Sequence, residues 1–287
     1  MRIASYNVHM WMTPTLSSNV RPVIKVLQEL NADIVGLEEV DSAGPTNSGE
    51  TDTDRVARNL TAAVVNGHAG FDSLGNAIIS RQPVVDRQGL KLSDMRTMVL
   101  GTVQVPAGPN GEAPRPLTVC CVHLDHIYEG RRTKQLGAAL DWLEGLKLGP
   151  HIIVGDFNSV RVEDYDDRSF AEMARKRKES DWEEPRGEVV QMMDRAGYVD
   201  AYRLELVKAS HPQGPFVFSW EEYTASLTDN RFRHPAPEFH TCWVGTRIDY
   251  IWLSRGLMDQ VDFVRYHRGT SNASDHFPVA CDLEWKK

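Results

Sequence analysis

Several features that assign a chain to a specialised class of protein are missing from this sequence. Across 287 residues no apolar run approaches the roughly 20 residues that span a bilayer, so we expect no membrane anchor. Met1 is followed by the strand-like run Arg2–Tyr6 rather than by a signal peptide. The four cysteines, Cys120, Cys121, Cys242 and Cys281, lack the C-x-x-C spacing of a zinc cluster. These absences predict reduced, buried thiols and an intracellular, cytoplasmic protein.

Positive charge is also scarce. The chain has 32 Lys and Arg against 40 Asp and Glu, which gives a net charge of −8 and no global basic field for nucleic acid. A nucleic-acid substrate would therefore need a local basic patch or metal ions. The densest basic run, Arg175–Lys178, lies among acidic residues, and it predicts a solvated helix or loop of mixed charge.

The pattern along the chain predicts a single α/β domain over residues 1–287, with largely antiparallel sheets. It opens with a strand over 2–8, a helix over 19–30 and a buried strand over 33–40. A second helix is predicted over 54–65. Further strands and helices follow without a linker, a repeat or a change of composition. The stretch 210–245, rich in proline and aromatic residues, predicts long surface loops.

Polar side chains stand at six strand ends where an apolar core would not select them. They are Asn7, the pair Glu38 and Glu39, His123, Asp156 with Asn158, Asp249, and the run Ser274, Asp275 and His276. A strand fixes a side chain while its end opens to solvent, so ligands commonly bind there. Any one of these residues alone fits a turn or a cap, but six together indicate a site.

The residue types in this set favour one kind of chemistry. Carboxylate and amide oxygens are hard ligands that suit Mg²⁺ or Mn²⁺, and the cysteine and histidine clusters of structural zinc are missing. Histidines accompany the carboxylates. A bound divalent cation with a histidine that transfers a proton suits the hydrolysis of a phosphate ester.

Seven ordered motifs resemble those of the endonuclease/exonuclease/phosphatase superfamily. They are Ser5-Tyr6-Asn7-Val8-His9, Asp33-Ile34-Val35-Gly36-Leu37-Glu38-Glu39-Val40, Gly75-Asn76-Ala77-Ile78-Ile79-Ser80-Arg81, Val122-His123-Leu124-Asp125-His126, Gly155-Asp156-Phe157-Asn158, Arg247-Ile248-Asp249-Tyr250-Ile251 and Ser274-Asp275-His276-Phe277-Pro278-Val279. The resemblance runs from residue 5 to residue 279. It implies a four-layer α/β sandwich, in which two mixed β-sheets pack face to face with helices outside.

The resemblance also implies roles for these residues. By similarity Glu39 is the main Mg²⁺ ligand, with Asn7 beside it and Asp275 as a further candidate ligand. Asp156 handles the proton, Asn158 holds the attacking water or a phosphate oxygen, and His123 contacts the scissile phosphate. Asp249 orients His276. Whether Asp156 or His276 acts as the general base stays open.

The sequence departs from the family's usual pattern before the metal ligand. Glu38 stands where many members have glutamine, and strand alternation places Glu38 and Glu39 on opposite faces, so only one should reach the metal. Near His123, three further residues are candidates for a phosphate clamp, namely Arg96, His126 and Arg131. Surface salt bridges and a satisfied loop histidine explain these three equally well.

The sequence thus predicts a Mg²⁺-dependent phosphoesterase, with Mn²⁺ as a substitute, that cleaves a phosphodiester by in-line attack of water. The substrate class includes nucleic acids and nucleotides, and no protein partner is implied. One alternative is a phosphomonoesterase acting on a small molecule or a lipid headgroup. The other is a non-catalytic protein that binds a phosphorylated ligand.

Overall fold

A computed structural model describes residues 1–40, 51–60, 62–67, 75–105, 114–211, 216–232, 240–242 and 245–286. These residues form twelve strands and eight α-helices. The strands are β1 (Arg2–Asn7), β2 (Ile34–Val40), β3 (Ala63–Gly67), β4 (Gly75–Ser80), β5 (Val84–Ser93), β6 (Arg96–Val105), β7 (Arg115–His123), β8 (His151–Asp156), β9 (Tyr198–Asp200), β10 (Asp249–Ser254), β11 (Val261–Arg268) and β12 (Val279–Trp285). The helices are α1 (Val20–Leu30), α2 (Asp52–Asn59), α3 (Glu129–Leu146), α4 (Asp167–Glu179), α5 (Glu188–Arg195), α6 (Ala201–Ala209), α7 (Trp220–Ser226) and α8 (Arg255–Met258).

The described strands form two mixed six-stranded sheets. The first has the order β11-β12-β1-β2-β4-β3, and the second has the order β5-β6-β7-β8-β10-β9. Each sheet contains one parallel pair, β1 with β2 and β7 with β8, and its other pairs are antiparallel. The predicted α/β sandwich of two mixed sheets is confirmed.

The sheets pack face to face through a buried apolar layer. Ile3 and Ile34 of the first sheet belong to the same buried cluster as Val119 and Val154 of the second. At Gly36 the sheets approach so closely that an added Cβ would lie 2.4 Å from Val154 Cγ2, so a larger residue would force them apart.

Helices cover the outer faces of both sheets. On the first sheet, Val23 and Leu27 of α1 pack against Val35 and the other outward residues of β1 and β2. On the second sheet, Leu136 of α3 and Met193 of α5 complete a cluster with the same strands that carry the inner core. The inner strands, such as β1, β2, β7 and β8, therefore bury residues on both faces, which explains their nearly continuous apolar runs in the sequence.

Two predicted elements differ from the structure. The helix predicted over 54–65 is wrong in its bounds, because α2 begins at Asp52 and ends at Asn59, and β3 follows. The Thr51 side chain accepts a hydrogen bond from the Asp54 backbone, and Asp54 accepts one from the Thr51 backbone, so this capping box fixes the earlier start. The run Arg175–Lys178 lies in α4, which confirms the helical alternative.

The loops predicted over 210–245 include a helix. Ser219 accepts a hydrogen bond from the Glu222 backbone and so caps α7, while Phe218, Trp220 and Tyr223 pack edge to face or tilted against one another. Aromatic clustering, rather than helical periodicity, dominates this short segment, so the sequence pattern hid the helix. Phe239 and Trp243 lie outside the described residues.

All four cysteines are buried, and none forms a disulfide, as the sequence predicts. No helix in the described parts of the chain combines the length and the apolar character needed to cross a membrane.

A buried ionic network lies just before β10. Arg247 donates to Asp164 Oδ2 at 2.8 Å and to Asp200 Oδ2 at 2.8 Å, and Arg203 donates to Asp164 Oδ1 at 2.6 Å. All four side chains are at most 1% exposed. The network therefore joins the segment before α4, the end of β9 and the approach to β10 in a medium that screens charge poorly.

Asp164→Asn tests this network. Arg247 and Arg203 would lose a counter-charge in a buried site, so we expect the free energy of unfolding to fall by about 3–5 kcal/mol in urea denaturation. Glu179→Gln breaks the exposed pair of Glu179 with Arg175 and should leave stability almost unchanged. Equal stability of the two variants would contradict a structural role for the network.

Candidate active site

The predicted site residues converge where the two parallel strand pairs end at one edge of the sandwich. In the first sheet Asn7 is paired with Glu38 across β1 and β2. In the second sheet Asp156 is paired with His123 on one side and with Asp249 on the other. The register of five strands thus brings distant parts of the sequence together.

Asn7 links the two sheets. Its Nδ2 donates to Glu39 Oε1 at 3.2 Å and to Asp156 Oδ2 at 3.1 Å, while its Oδ1 accepts a hydrogen bond from the His9 backbone N–H at 3.0 Å. The contact with His9 fixes the amide orientation, because a backbone N–H can pair only with the oxygen. The amide therefore holds two carboxylates at a set separation.

The side chains of Glu38 and Glu39 point in different directions, and an irregularity in the backbone of β2 contributes to the difference. Glu39 has a φ of +56°, and the register of β2 with β4 shifts between Glu38 and Val40. Glu39 lies beside Asn7 with 17% of its side chain exposed. Glu38 lies between the sheets, where its Oε1 accepts hydrogen bonds from Ser5 Oγ at 2.8 Å and Cys121 Sγ at 3.1 Å.

The environment of Glu38 favours its neutral form. Burial, followed by the charge of Asp249, raises the pKa of Glu38 well above its ordinary value, against the opposing effect of two hydrogen bonds. A protonated Glu38 resembles the neutral glutamine that the sequence comparison led us to expect at this position. Only Glu39 of the pair opens toward the cleft.

A left-handed turn follows Asn7. His9, Met10 and Trp11 have φ values of 50°, 54° and 60°, a conformation that costs about 1–3 kcal/mol per residue outside glycine. The buried Asn19 Nδ2 lies 2.8 Å from Val8 O, 2.9 Å from Met12 O and 2.7 Å from Ala273 O. It thereby ties this turn to the loop that carries His276.

His276 and Asp249 form a buried pair. His276 Nδ1 lies 3.0 Å and 2.9 Å from the two oxygens of Asp249, whose backbone N–H donates to Thr241 Oγ1. Burial alone would lower the pKa of His276, but the nearby charges, with Asp249 foremost, raise it well above its ordinary value. The raised pKa favours the protonated ring, whose Nε2 lies 3.7 Å from Asp156 Oδ2.

Asp156 is the carboxylate at the centre of the site. Its Oδ1 accepts the Asn158 backbone N–H at 2.9 Å. Burial and the repulsion of Asp249 raise the pKa of Asp156 to about 7, although His276 and the hydrogen bond from Asn158 oppose that increase. Its position depends on Gly155, where φ is +152° and an added Cβ would lie 1.9 Å from Val122 O.

His123 is buried without a hydrogen bond to either ring nitrogen within the described structure. Its Nε2 lies 3.5 Å from Asp156 Oδ2 and 3.9 Å from Glu39 Oε1. Burial, with the nearby positive charge of Arg96, lowers the pKa of His123 well below its ordinary value. An unpaired buried polar group costs free energy, so a ligand in the cleft that hydrogen-bonds to this neutral ring would remove that cost.

Asn158 and Asp275 lie at the margins of this group. Asn158 Nδ2 donates to Leu124 O at 3.2 Å. Ser274 Oγ lies 2.8 Å from Asn7 O and 3.3 Å from Asp275 Oδ1. Among the described contacts, Asp275 therefore reaches the site through Ser274 and not through Glu39.

The three candidate clamp residues form a separate group on one side. Arg96 donates from Nε to Leu124 O at 3.0 Å, and its Nη2 lies 3.2 Å from His126 Nδ1. Arg131 is exposed, lies 3.5 Å from Asp125 Oδ2 and packs over the ring of Tyr128. Arg131 thus forms a surface salt bridge, which is one of the two alternatives that the sequence allows. Arg96 is buried and contacts His126.

The donor atoms of the site fit a hard divalent cation. Glu39 Oε1 and Asp156 Oδ2 both accept hydrogen bonds from Asn7 Nδ2, so two carboxylate oxygens lie together beside the solvent-open side of Glu39. A second group, Asp156, Asp249 and His276, has donor atoms within 4.8 Å of one another. In this group His276 Nδ1 already contacts Asp249, and the raised pKa of His276 favours the protonated ring, which cannot bind a metal ion.

Sequence reasoning missed the residues that hold the site in place. Asn19 was included only as the start of a predicted helix, and it does cap α1, but its side chain makes no capping hydrogen bond. Thr241 accepts hydrogen bonds from the Ile248 and Asp249 backbones. One contact of Asn19 is with Ala273, 254 residues away, and Thr241 binds residues seven and eight positions ahead, so neither contact follows the spacing of a helix cap.

Comparisons with known proteins identify the family and the fold of this chain. The model of the endonuclease/exonuclease/phosphatase family matches residues 4–276. No curated protein matches the sequence.

Several solved structures share the fold. The human Nocturnin catalytic domain with bound sulfate is 16% identical, with 100% of this chain and 93% of that chain covered and a TM-score of 0.64. A 3′-5′ exonuclease from Neisseria meningitidis is 19% identical, with 99% and 100% covered and a TM-score of 0.62. A mannosyl-6-phosphatase from Bacteroides thetaiotaomicron is 16% identical, with 99% of both chains covered and a TM-score of 0.61.

The pKa of Asp156 predicts a pH effect on stability. A folded-state pKa raised from 3.8 to about 7 stabilises the fold at low pH, and that contribution is lost as the pH rises from about 4 to about 7. Urea denaturation in EDTA would measure the free energy of unfolding at each pH. Between pH 4 and pH 7 this free energy should fall less in Asp156→Asn than in the wild type. Asp94→Asn, at an exposed carboxylate with a lowered pKa, should follow the wild type. If the free energy of unfolding changed with pH by the same amount in Asp156→Asn and in the wild type, the raised pKa of Asp156 would be contradicted.

Proposed function

Because the chain belongs to the endonuclease/exonuclease/phosphatase family, whose members are generally hydrolases of phosphate esters, we propose that it is a divalent-metal-dependent phosphodiesterase. One observation gives this proposal its main support. A protonated His276, held by Asp249, faces a buried Asp156 that shares Asn7 with the open carboxylate Glu39.

The proposed cation is Mg²⁺, with Mn²⁺ as a substitute, held chiefly by the Glu39 carboxylate with Asp156 Oδ2 beside it. Asn7 and Asp275, the other two ligands expected from the sequence, would reach the cation only if the Asn7 amide turned from His9 and Asp275 turned from Ser274. When bound, the cation would stabilise negative charge on the phosphoryl oxygens. The buried carboxylates support this assignment, because several of them share a low-dielectric site with one imidazolium and favour an added positive charge.

The chain's own side chains would position the substrate and move the proton. His123 would donate from Nε2 to a phosphoryl oxygen, which provides its missing partner. Asp156 and Asn158 would hold the water that attacks in line, and the His276 imidazolium would stabilise charge near Asp156. An ionised Asp156 would accept the water's proton, and the His276 imidazolium would give its Nε2 proton to the leaving oxygen as the ester bond breaks. The exchanged roles would require His276 to be neutral before the attack.

Both kinds of ester occur among proteins that share this fold, as the names of the exonuclease and the mannosyl-6-phosphatase indicate. A net charge of −8 disfavours long duplex DNA as a substrate. We therefore propose a short nucleic acid, a nucleotide or another small phosphodiester. A phosphomonoester is the second candidate, supported by the likeness in fold to the phosphatase.

The direct test compares hydrolysis of bis(p-nitrophenyl) phosphate and p-nitrophenyl phosphate with Mg²⁺, with Mn²⁺ and with EDTA. We expect metal-dependent cleavage of the diester. Asp156→Asn and His276→Ala should each fold and lose at least about two orders of magnitude in turnover, as general acid–base groups typically do. Cleavage of the monoester alone would replace the diester proposal, and a normal rate in a folded variant would remove that residue from the mechanism.

Glu39→Gln and Glu38→Gln form a matched pair for the metal assignment. Glu39→Gln should raise the Mg²⁺ concentration needed for half-maximal activity and reduce the increase in Tm that Mg²⁺ causes, because ligand binding stabilises the native state. Glu38→Gln replaces a neutral buried acid by a neutral amide and should change neither quantity. A shifted Mg²⁺ requirement in Glu38→Gln alone would identify Glu38 as the ligand.

A further inference from the structure

A second cavity, of about 470 Å³, lies beside the cleft and takes no part in the chemistry proposed above. It is bounded by the turn between β5 and β6, by residues 125–127 and by the first two turns of α3. This volume is within the range that accommodates a small ligand. We call it the lateral cavity.

The lateral cavity adjoins the catalytic cleft through one peptide group. The carbonyl oxygen of Leu124 accepts a hydrogen bond from Asn158 Nδ2 at 3.2 Å and another from Arg96 Nε at 3.0 Å. Asn158 belongs to the cleft, and Arg96 lines the lateral cavity. A ligand that occupies the cleft could therefore extend into this cavity.

Arg96 also determines which proton His126 presents to the cavity. A guanidinium has no acceptor, so the contact of Arg96 Nη2 with His126 Nδ1 at 3.2 Å makes that nitrogen the acceptor. A neutral His126 then carries its proton on Nε2. Since His126 is exposed and lines the cavity, its N–H is available to an acceptor on a ligand.

Positive charge at the cavity exceeds what its carboxylates neutralise. Arg131 faces Asp125 at 3.5 Å, and Asp94 is paired at 2.8 Å with Lys91. Lys134, one turn after Arg131 on α3, has no carboxylate within ion-pair distance among the described residues. An anion would supply the missing counter-charge.

The rest of the wall is apolar. Leu92, Met95 and Ile127 line the cavity, and Met95 is 54% exposed although it is a large hydrophobic residue. An inorganic anion alone would leave this surface in contact with water. A ring attached to the anion would cover it.

We propose that the lateral cavity binds a second phosphate group of the substrate, with the attached sugar or base against the apolar wall. Lys134 and His126 Nε2 would contact that phosphate while the scissile phosphate lies in the cleft. The inference rests on the proposed function and narrows the substrate to a sugar or nucleoside whose scissile phosphodiester is accompanied by a second phosphate group. A bisphosphate mimics such a substrate after the diester has been cleaved.

Affinity measurements test the proposal without turnover. Calorimetry in EDTA would compare thymidine 3′,5′-bisphosphate with thymidine 5′-phosphate, and glucose 1,6-bisphosphate with glucose 1-phosphate. We expect the wild type to bind at least one bisphosphate about tenfold more tightly than its matched monophosphate, which is the effect of one good charge-assisted contact. A preference confined to the thymidine pair would identify a nucleoside as the attached group, and one confined to the glucose pair would identify a sugar without a base. A preference shared by both pairs would show that the second phosphate itself is recognised.

Lys134→Gln should reduce this tenfold preference to nearly one while it keeps the apolar stem of the side chain. Lys25→Gln removes the same charge from α1, in the opposite outer layer, and should retain the preference. The proposal is overturned if the wild type binds the members of both pairs equally, or if Lys134→Gln keeps the preference. Hydrolysis of bis(p-nitrophenyl) phosphate is measured separately, so a failure of the proposed function is distinguishable from a failure of this cavity.

Discussion

Negative charge concentrated at one edge of the sandwich is the constraint on which the site depends. Four carboxyl groups meet at this edge, those of Glu38, Glu39, Asp156 and Asp249, and burial makes ionisation of Glu38 and Asp156 costly. The structure responds in two ways. The pKa values of Glu38 and Asp156 are raised, so that these groups tend to be neutral, and His276 supplies a compensating proton beside Asp249. The open carboxylate of Glu39 beside these groups is the basis of the proposed cation site.

Holding these groups requires backbone conformations that are unfavourable in isolation. Glu39 and the turn over His9–Trp11 have positive φ values, and Gly155 admits no side chain. Buried hydrogen-bond donors and ions stabilise these segments from distant parts of the chain. Asn19 joins the turn to the loop before His276, and Arg247 fixes the approach to β10. The free energy for the strained site therefore comes from the surrounding scaffold.

The sequence predicted the membership of the site better than its geometry. Asn7, His123 and Asp156 end strands whose apolar runs are unmistakable, and the strand register alone places them at one edge. The bulge at Glu39 could not be predicted, because it depends on the pairing of β2 with β4. The hydrogen bond of Asn19 to a carbonyl 254 residues away has no local pattern either. Capping chemistry, as at Thr51, was present in the sequence and would have corrected the bounds of α2.

The four buried thiols can report local unfolding in different layers of the fold. Cys120 lies under the outer helices, Cys121 and Cys281 lie between the sheets, and Cys242 pairs with His276 beside the cleft. A thiol reagent can reach each sulfur only when the layer that covers it opens. Burial also raises the pKa of Cys120, Cys121 and Cys281, so these thiols form little reactive thiolate while they stay buried. The labelling rate of each cysteine is therefore a measure of how often its own layer opens, so one chemical experiment resolves the cooperative units of the fold.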